Sequence, residues 1–296
     1  MLTMRAGVID VGSNTVRLLV VKESRRGLAT VASRREHLAM GHDIERCGSI
    51  SDRKLEQLAK LVGGYVAQGR KAGADRLEAV VTAPGRQTSN GKALRDVVRS
   101  ATGLPVRQLS AEEEGRLAYA GAVHGCGAGD EPVGVVDVGG GSMQLLVGTI
   151  DEVSWLHCLD LGSLRLTSRY LAHDPPSEAE LAAAAEAVKE AFDHVTPPVP
   201  RTVLATGGTA RSLRRISGRC LGADELDVAL PALVSAPAAE VAKEHGVTVE
   251  RARVLPAGTI VLREVQRRLG TELEVARGGL REGVVLELLA ELAAAA

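Results

Sequence analysis

The chain has 296 residues, of which 45% are hydrophobic and 25% charged, a length that suits two domains and a composition typical of a soluble globular protein. The net charge of −1 excludes a global field that attracts a polyanion, so local arginines would have to bind any phosphate. Aromatic residues make up only 2%, which argues against a stacking platform for single-stranded nucleic acid.

The cysteines and the apolar segments exclude further classes of protein. Four cysteines lie far apart without a CxxC pair, so neither a zinc site nor a disulfide framework is expected. Asp10 and a glycine turn interrupt the first apolar run, unlike a signal peptide. The apolar tract over residues 284–296 is broken by Glu287 and Glu291 and is too short to span a bilayer. We therefore expect a cytoplasmic protein with no membrane and no nucleic-acid partner.

Predicted strands and helices alternate along the chain, which indicates an α/β fold. The predicted strands cover residues 5–11, 16–21, 28–37, 77–82, 104–109, 133–136, 143–147, 153–158, 201–206 and 272–276. The predicted helices cover residues 52–71, 91–101, 111–123, 178–195, 207–219, 231–245, 256–269 and 280–293, with a short helix that carries Arg165 and Arg169. Residues 83–90 are predicted as a loop.

Three consecutive glutamates open the helix that follows Ser110. Ser110 and Glu113 have the spacing of a capping box, so Glu113 has a structural role. Glu112 is favoured at a helix N-terminus by the helix dipole alone. Glu114 has no such structural explanation. The sequence by itself, however, does not identify which of the three glutamates is catalytic.

Residues 133–148 predict a hairpin with an acidic, glycine-rich turn. Asp137 ends the first strand, and the turn residues Gly139, Gly140, Gly141 and Ser142 offer backbone amides and one hydroxyl to an anion. A carboxylate beside a phosphate requires a cation between them, so Asp137 predicts a divalent metal. The alternative is a glycine turn capped by an aspartate.

The same pattern occurs near the N-terminus. Residues 7–21 align with residues 134–148 without a gap, so that Asp10 falls on Asp137 and the turn Ser13-Asn14-Thr15 falls on Gly140-Gly141-Ser142. Two copies predict two similar domains, with phosphate bound in a cleft between them. A third glycine turn, Gly207-Gly208-Thr209, follows a strand and opens a helix, which is a further phosphate site by its dipole and its amides.

Five segments together carry a resemblance to a known family: IDVGSNTVRLLVV, SAEEEGRLAYAGA, VDVGGGSMQLLVG, ATGGTARSLRRI and GGLREGVVLELL. In this order, and over nearly the whole chain, the sequence resembles the exopolyphosphatase/guanosine pentaphosphate phosphatase (Ppx/GppA) family of the actin/Hsp70/sugar-kinase superfamily. The resemblance implies two similar actin-like (ribonuclease H-like) α/β domains with mixed sheets and an interdomain cleft. We expect the domains at residues 1–125 and 126–296, with the boundary in segment 125–131 and the last helix able to pack back on the first domain.

The resemblance also implies roles for individual residues. Glu114 and Asp137 would be catalytic, Glu114 as the base that activates water, and Asp10 and Asp137 would hold Mg²⁺ or another divalent cation. An arginine that faces the phosphates and an asparagine downstream fall on Arg86 and Asn90; a solvated surface arginine is the alternative for Arg86. The predicted phosphate-binding residues are Ser13, Asn14, Thr15, Arg86, Gly139, Gly140, Gly141, Ser142, Gly207, Gly208 and Thr209.

The predicted reaction is hydrolysis of the terminal phosphate of inorganic polyphosphate, with guanosine pentaphosphate as the other expected substrate. Longer family members carry a further C-terminal domain, so a long polymer channel would need a second subunit, and we expect a homodimer. Gln144 departs from the family, which usually has a glutamate there, and an amide cannot supply a charged ligand. A non-catalytic alarmone or phosphate sensor and an ATP-dependent phosphotransferase of the same superfamily remain alternatives.

Overall fold

The computed structural model describes residues 4–24, 27–124, 126–127 and 131–295. The chain divides into two compact units, one formed by residues 1–125 together with 278–296 and the other by residues 126–277. Most of the predicted boundary segment, residues 125–131, lies outside the described residues. Across the described part of the chain, none of the helices has both the length and the apolar content needed to cross a membrane.

Strands and helices are interspersed along the chain. The strands are β1 Arg5–Val11, β2 Thr15–Ser24, β3 Gly27–His37, β4 Arg76–Val81, β5 Val106–Gln108, β6 Val133–Val138, β7 Met143–Gly148, β8 Val153–Leu159, β9 Thr202–Thr206, β10 Cys220–Leu221 and β11 Leu273–Val275. The helices are α1 Met40–Cys47, α2 Asp52–Lys71, α3 Ala83–Gln87, α4 Gly91–Thr102, α5 Ala111–Val123, α6 Ser163–Tyr170, α7 Glu178–Ala191, α8 Gly207–Ser217, α9 Ala223–Leu233, α10 Ala238–His245, α11 Val249–Leu269 and α12 Leu280–Ala294.

Each unit is built on one mixed sheet. The strand order is β3-β2-β1-β4-β5 in the first unit and β10-β11-β9-β6-β7-β8 in the second. In both, an antiparallel hairpin (β1–β2 or β6–β7) has a parallel strand on its other side (β4 or β9). The predicted fold class, α/β with mixed sheets, is confirmed, and both predicted hairpins form.

The core of the first unit follows from alternation along its strands. Ile9 and Val11 of β1 belong to the cluster that includes side chains of α2 and α4, whereas Ala6 and Val8 point to the opposite face. That opposite face belongs to a second cluster, which includes Leu117 of α5 and side chains of α12. Burial on both faces explains why β1 is apolar from Ala6 to Val11 except at Asp10, since a sheet covered by helices on both sides has no solvated face.

Helices α5 and α12 cross with their backbones almost in contact. A Cβ atom on Gly121 would lie 2.0 Å from the carbonyl oxygen of Gly279, and one on Gly283 would lie 1.9 Å from that of Leu117. Real side chains never approach so closely, so the crossing requires glycine at both positions. This contact is what joins residues 278–296 to the first unit.

Three predicted elements were wrong. The segment 83–90 is not all loop, because Ala83–Gln87 forms α3. The single helix predicted over residues 231–245 is two helices, since α9 ends at Leu233 and Pro237, which lacks an amide hydrogen, stands at the N-cap of α10. Arg219 lies beyond the end of α8, which stops before Gly218 at φ +97°. Helix α1 carried no strong sequence signal and was not predicted.

Candidate active site

The three glutamates at the start of α5 lie in different environments. The Ser110 hydroxyl accepts a hydrogen bond from the Glu113 amide (3.0 Å), and the Glu113 carboxylate accepts one from the Ser110 amide (2.7 Å), which confirms the predicted capping box. That bond from the Ser110 amide lowers the pKa of Glu113. Glu112 and Glu113 are exposed, whereas Glu114 is only 6% exposed. Among the three, Glu114 alone is a buried carboxylate.

Glu114 is held by Arg86, which α3 places beside it. One Nη atom of Arg86 lies 2.8 Å from Glu114 Oε2, and the other donates to the Leu109 carbonyl at 2.8 Å. A buried carboxylate is costly unless it is paired, so Arg86 both offsets the cost of burying Glu114 and fixes its orientation. Two residues that the family resemblance named separately are therefore direct neighbours.

Asn90 does not belong to this pair. Its side-chain oxygen accepts from the Ile50 amide at 3.0 Å, and its side-chain nitrogen donates to the Ile50 carbonyl at 2.8 Å. The amide is thus used to join two loops.

The turn between β1 and β2 buries two polar side chains without satisfying them. Ser13 is 4% and Asn14 6% exposed, and Ser13 Oγ and Asn14 Oδ1 have no hydrogen-bond partner within the described part of the chain. Buried polar atoms are nearly always hydrogen-bonded, so these two suit a ligand that completes them. Thr15 is half-buried, and its hydroxyl accepts from Arg17 Nε at 3.1 Å. Asp10 faces Arg17 across the hairpin.

The second unit brings Asp137 to the N-terminus of α8. Asp137 is 7% exposed and pairs with Thr206 in the parallel ladder of β6 and β9. The next residue, Gly207, has φ +87°, and a Cβ there would lie 2.5 Å from Asp137 Oδ1. Only glycine fits this position, and its absence of a side chain lets the carboxylate lie against the first turn of α8.

The glycine turn of the second hairpin is fixed by α6. The carbonyl of Gly139 accepts the Ser163 amide at 2.9 Å, and that of Gly140 accepts the amides of Leu164 and Arg165 at 3.0 Å each. Because a trans peptide directs its N–H opposite to its C=O, the amides of Gly140 and Gly141 point away from α6. This orientation is what an anion site made from backbone amides needs.

Gln144 lies two residues after Ser142 and on the same face of the hairpin. It is 1% exposed, stands opposite Asp137 in the hairpin register, and donates from Nε2 to Ser142 Oγ at 3.2 Å. The position that usually carries a family glutamate is therefore occupied by a buried amide that is already hydrogen-bonded within the turn.

The third glycine turn lies against an arginine that the sequence did not single out. A Cβ on Gly208 would lie 2.5 Å from Nη2 of Arg251, whose side chain rises from the first turn of α11 and is 7% exposed. A buried guanidinium against a helix N-terminus adds positive charge to an anion site. Arg251 lies far along the chain in an arginine-rich segment, so only the folded chain singles it out.

The side chain of Thr209 is packed inside the second unit. Its side chain is 0% exposed and lies against α11, where a Cβ on Gly258 would be 2.6 Å from Thr209 Oγ1. The hydroxyl thus points into the packing between α8 and α11, and only the backbone amide of Thr209 is left for a phosphate. Two arginines farther along have other partners: Arg219 pairs with Glu274, and Arg215 donates to the Gly246 carbonyl at 3.3 Å.

The carboxylates suit a cation that shares its ligands with the substrate. No group of three or more His, Cys, Asp or Glu side chains that could hold a metal occurs among the described residues. Mg²⁺ does not need such a cage, since it commonly takes one or two carboxylates and completes its shell with water and phosphate oxygens. Asp137, with the oxygens of Ser142 and Gln144 beside it, is a donor set of this kind.

Comparisons with known proteins agree with each other. The profile of the Ppx/GppA phosphatase family matches residues 19–292. Exopolyphosphatase 1 of Mycobacterium tuberculosis is 31% identical over 310 aligned residues, which cover 97% of this chain and 88% of the relative. The Aquifex aeolicus member of the Ppx/GppA family has a TM-score of 0.81 at 27% identity, covering 97% of this chain and 98% of that one. An exopolyphosphatase from Cytophaga hutchinsonii shares the fold, with a TM-score of 0.89 at 20% identity over 97% of this chain and 98% of that one.

Proposed function

The chain belongs to the Ppx/GppA phosphatase family and is a phosphoanhydride hydrolase, and from this premise we propose that it is an exopolyphosphatase that releases orthophosphate from the end of inorganic polyphosphate. The names of its curated relatives support this substrate. The observation that carries the proposal is the Glu114–Arg86 pair, a single buried carboxylate with a fixed orientation at the start of α5.

Glu114 is proposed to act on the attacking water. A carboxylate that accepts the proton of water as its oxygen bonds to phosphorus is a general base. The bond between that phosphorus and the bridging oxygen breaks, so orthophosphate and a chain one phosphate shorter are the products. Arg86 keeps the carboxylate in one rotamer during this step, which avoids an entropic cost at the moment of reaction.

The turns are proposed to hold the phosphate oxygens. Ser13 Oγ can donate to an oxygen, and the Asn14 amide group can donate from nitrogen, while its buried oxygen accepts from water. In the second unit the amides of Gly140, Gly141 and Gly208 and the charge of Arg251 do the same. Such groups stabilise the negative charge that spreads over the transferred phosphoryl in the transition state.

A divalent cation such as Mg²⁺ would neutralise phosphate charge when bound, which lowers the repulsion between the substrate and the carboxylates. Asp137 and Asp10 are the carboxylates proposed to hold it. Gln144 donates its amide to Ser142 and adds no charge, so we propose that binding of the cation depends more on Asp137 than it does in relatives with a glutamate.

The test is phosphate release from short and long polyphosphate with magnesium titrated. Glu114→Gln should lower turnover by about 100-fold to 10,000-fold while leaving substrate affinity nearly unchanged, because the amide cannot take the proton. Glu112→Gln, an exposed neighbour in the same helical turn, is the matched control and should leave turnover unchanged. Full activity in Glu114→Gln would show that another group activates water.

A binding role without turnover is the second candidate function, and the buried, hydrogen-bonded Gln144 is the observation that favours it. Such a sensor would bind guanosine tetraphosphate tightly and release no phosphate from polyphosphate or guanosine pentaphosphate at any magnesium concentration. A phosphotransferase would instead need an acceptor. Assays with ATP and a panel of sugars, beside polyphosphate alone, distinguish the three.

A further inference from the structure

The turn that carries Ser13 and Asn14 is attached to one short segment, residues 38–41, which we call the strap. The Ser13 carbonyl accepts the Gly41 amide at 2.9 Å, and the Asn14 carbonyl accepts the amides of Leu38 at 3.1 Å and Ala39 at 3.0 Å. These bonds tie both carbonyls of the turn to the strap. The position of the strap therefore sets the position of the Ser13 and Asn14 side chains.

The strap has a backbone conformation that its residues do not prefer. Ala39 lies in the left-handed region at φ 48° and ψ 44°, the only positive φ of a non-glycine residue in the described part of the chain. A residue with a Cβ is disfavoured there by contact with its own carbonyl. Such a conformation persists when the surrounding structure holds it in place.

Lys54 and Asp43 hold the strap in this conformation. Lys54, in the first turn of α2, donates from Nζ to the Ala39 carbonyl and lies 2.9 Å from Asp43 Oδ1. Asp43 Oδ2 in turn accepts from the Ser51 hydroxyl at 2.6 Å and the Ser51 amide at 3.1 Å. Burial alone would raise the pKa of Asp43, but the hydrogen bonds from Ser51 and Lys54 outweigh it and lower the pKa to about 2. The carboxylate is therefore charged at any working pH.

We propose that Lys54 is a positioning residue for the phosphate turn: through the Ala39 carbonyl and Asp43 it holds the strap, and the strap holds Ser13 and Asn14 where they bind phosphate. The expected effect of Lys54 on substrate binding rests on the proposed function, whereas the contacts of Lys54 do not depend on it. Lys54 touches neither Ser13 nor Asn14 in any contact described above, so it acts through the backbone of the strap.

The first measurement is steady-state kinetics on polyphosphate with Lys54→Met, which keeps the length of the side chain and removes its charge and donors. The KM should rise about 10-fold, the scale seen when the support of a binding group is removed. The kcat should change much less, because Glu114 is oriented by Arg86 and not by Lys54. Lys60→Met, an exposed lysine on the same helix, is the control and should change neither.

A double-mutant cycle separates positioning from general stability. If Lys54 acts through the turn, its effect on KM should largely disappear in a Ser13→Ala/Asn14→Ala background, because groups that act as a unit are not additive. Lys54→Arg can donate to both oxygens and should recover most of the affinity. Equal effects of Lys54→Met in both backgrounds would overturn the proposal.

Hydrogen exchange tests the same claim without substrate. The amides of Leu38, Ala39 and Gly41 should exchange faster in Lys54→Met than in the parent, whereas amides of α4 should not. If Lys54→Met folds poorly, Lys54→Gln gives the same readout with a milder change. Unchanged exchange at the three amides, or a lowered melting temperature with unchanged KM, would overturn the positioning role. A parent protein that hydrolyses no phosphoanhydride would instead overturn the proposed function and leave the exchange result standing.

Discussion

The two hairpins share a backbone pattern and differ in what they offer to an anion. At the end of the first strand, Asp10 faces Arg17 in one hairpin, and Asp137 faces Gln144 in the other. The first turn presents two buried polar atoms, Ser13 Oγ and Asn14 Oδ1, that have no hydrogen-bond partner among the described residues, whereas the second presents glycine amides. A repeated hairpin thus conserves the place of the carboxylate while the binding groups change from side chain to backbone.

Packing against the second turn explains why the residue just before α6 has to be glycine. A Cβ on Gly162, just before α6, would lie 2.1 Å from the Gly140 carbonyl oxygen, so helix and turn meet backbone to backbone. The strap that supports the first turn makes three separate hydrogen bonds instead. The parallel neighbour differs as well, because Val81 stands beside the first hairpin where Gly207 stands beside the second.

The largest expected effect tests whether the two aspartates are equivalent. Asp137→Ala should lower kcat/KM on polyphosphate by about 1,000-fold, because Asp137 adjoins both the amide turn and the N-terminus of α8. Asp10→Ala should cost about 10-fold to 100-fold, since Asp10 faces the charged Arg17 across its hairpin, whereas Asp137 faces the neutral Gln144. Phosphate release at saturating magnesium measures both. Equal losses would show that the hairpins contribute symmetrically.

The next effect concerns Gly207, whose counterpart beside the first hairpin is Val81. Gly207→Ala should destabilise the protein by about 3 kcal/mol, since it adds left-handed strain and a collision with Asp137. Gly246→Ala is the matched control, with φ +63° and no atom within 4 Å of the added Cβ, and should cost only about 1 kcal/mol. Denaturant unfolding measures the difference. A cost at Gly207 no larger than at Gly246 would mean that the carboxylate moves away without penalty.

The smallest effect restores a charge in the second hairpin. Gln144→Glu places a carboxylate opposite Asp137, and the added Coulomb attraction should lower the magnesium concentration for half-maximal activity by about 10-fold, with turnover equal or higher. An unchanged half-activation value would show that residue 144 does not face the cation. Collapse of activity would show that the site depends on the neutral amide and its bond to Ser142.

Sequence reasoning recovered what local signals encode. The two hairpins, the capping box at Ser110 and the face shared by Ser142 and Gln144 each follow from residues close together in the chain. The burial of the Thr209 side chain was not predicted, because a helix start shows which residue comes third, but not that Gly258 of a distant helix opens a place for that side chain.

The contacts that define the candidate site are long-range, and this is why they escaped prediction. Arg86 and Glu114 are 28 residues apart, and neither propensity nor periodicity pairs them. Arg251 meets Gly208 only because α11 begins beside α8. The strap depends on Lys54, whose sequence context is that of an ordinary surface lysine in the first turn of an amphipathic helix.

The crossing of α5 and α12 has a consequence for how the chain is made. The second unit is continuous, residues 126–277, and all of its segments are available once that stretch has been synthesised. The first unit is not, because α5 has its glycine-to-glycine partner only when residues 278–283 have left the ribosome. Domains usually fold in the order of synthesis. Here the half that begins first is completed after the second, because the helix that carries Glu114 gains its contacts with α12 only once residues 278–283 have been made.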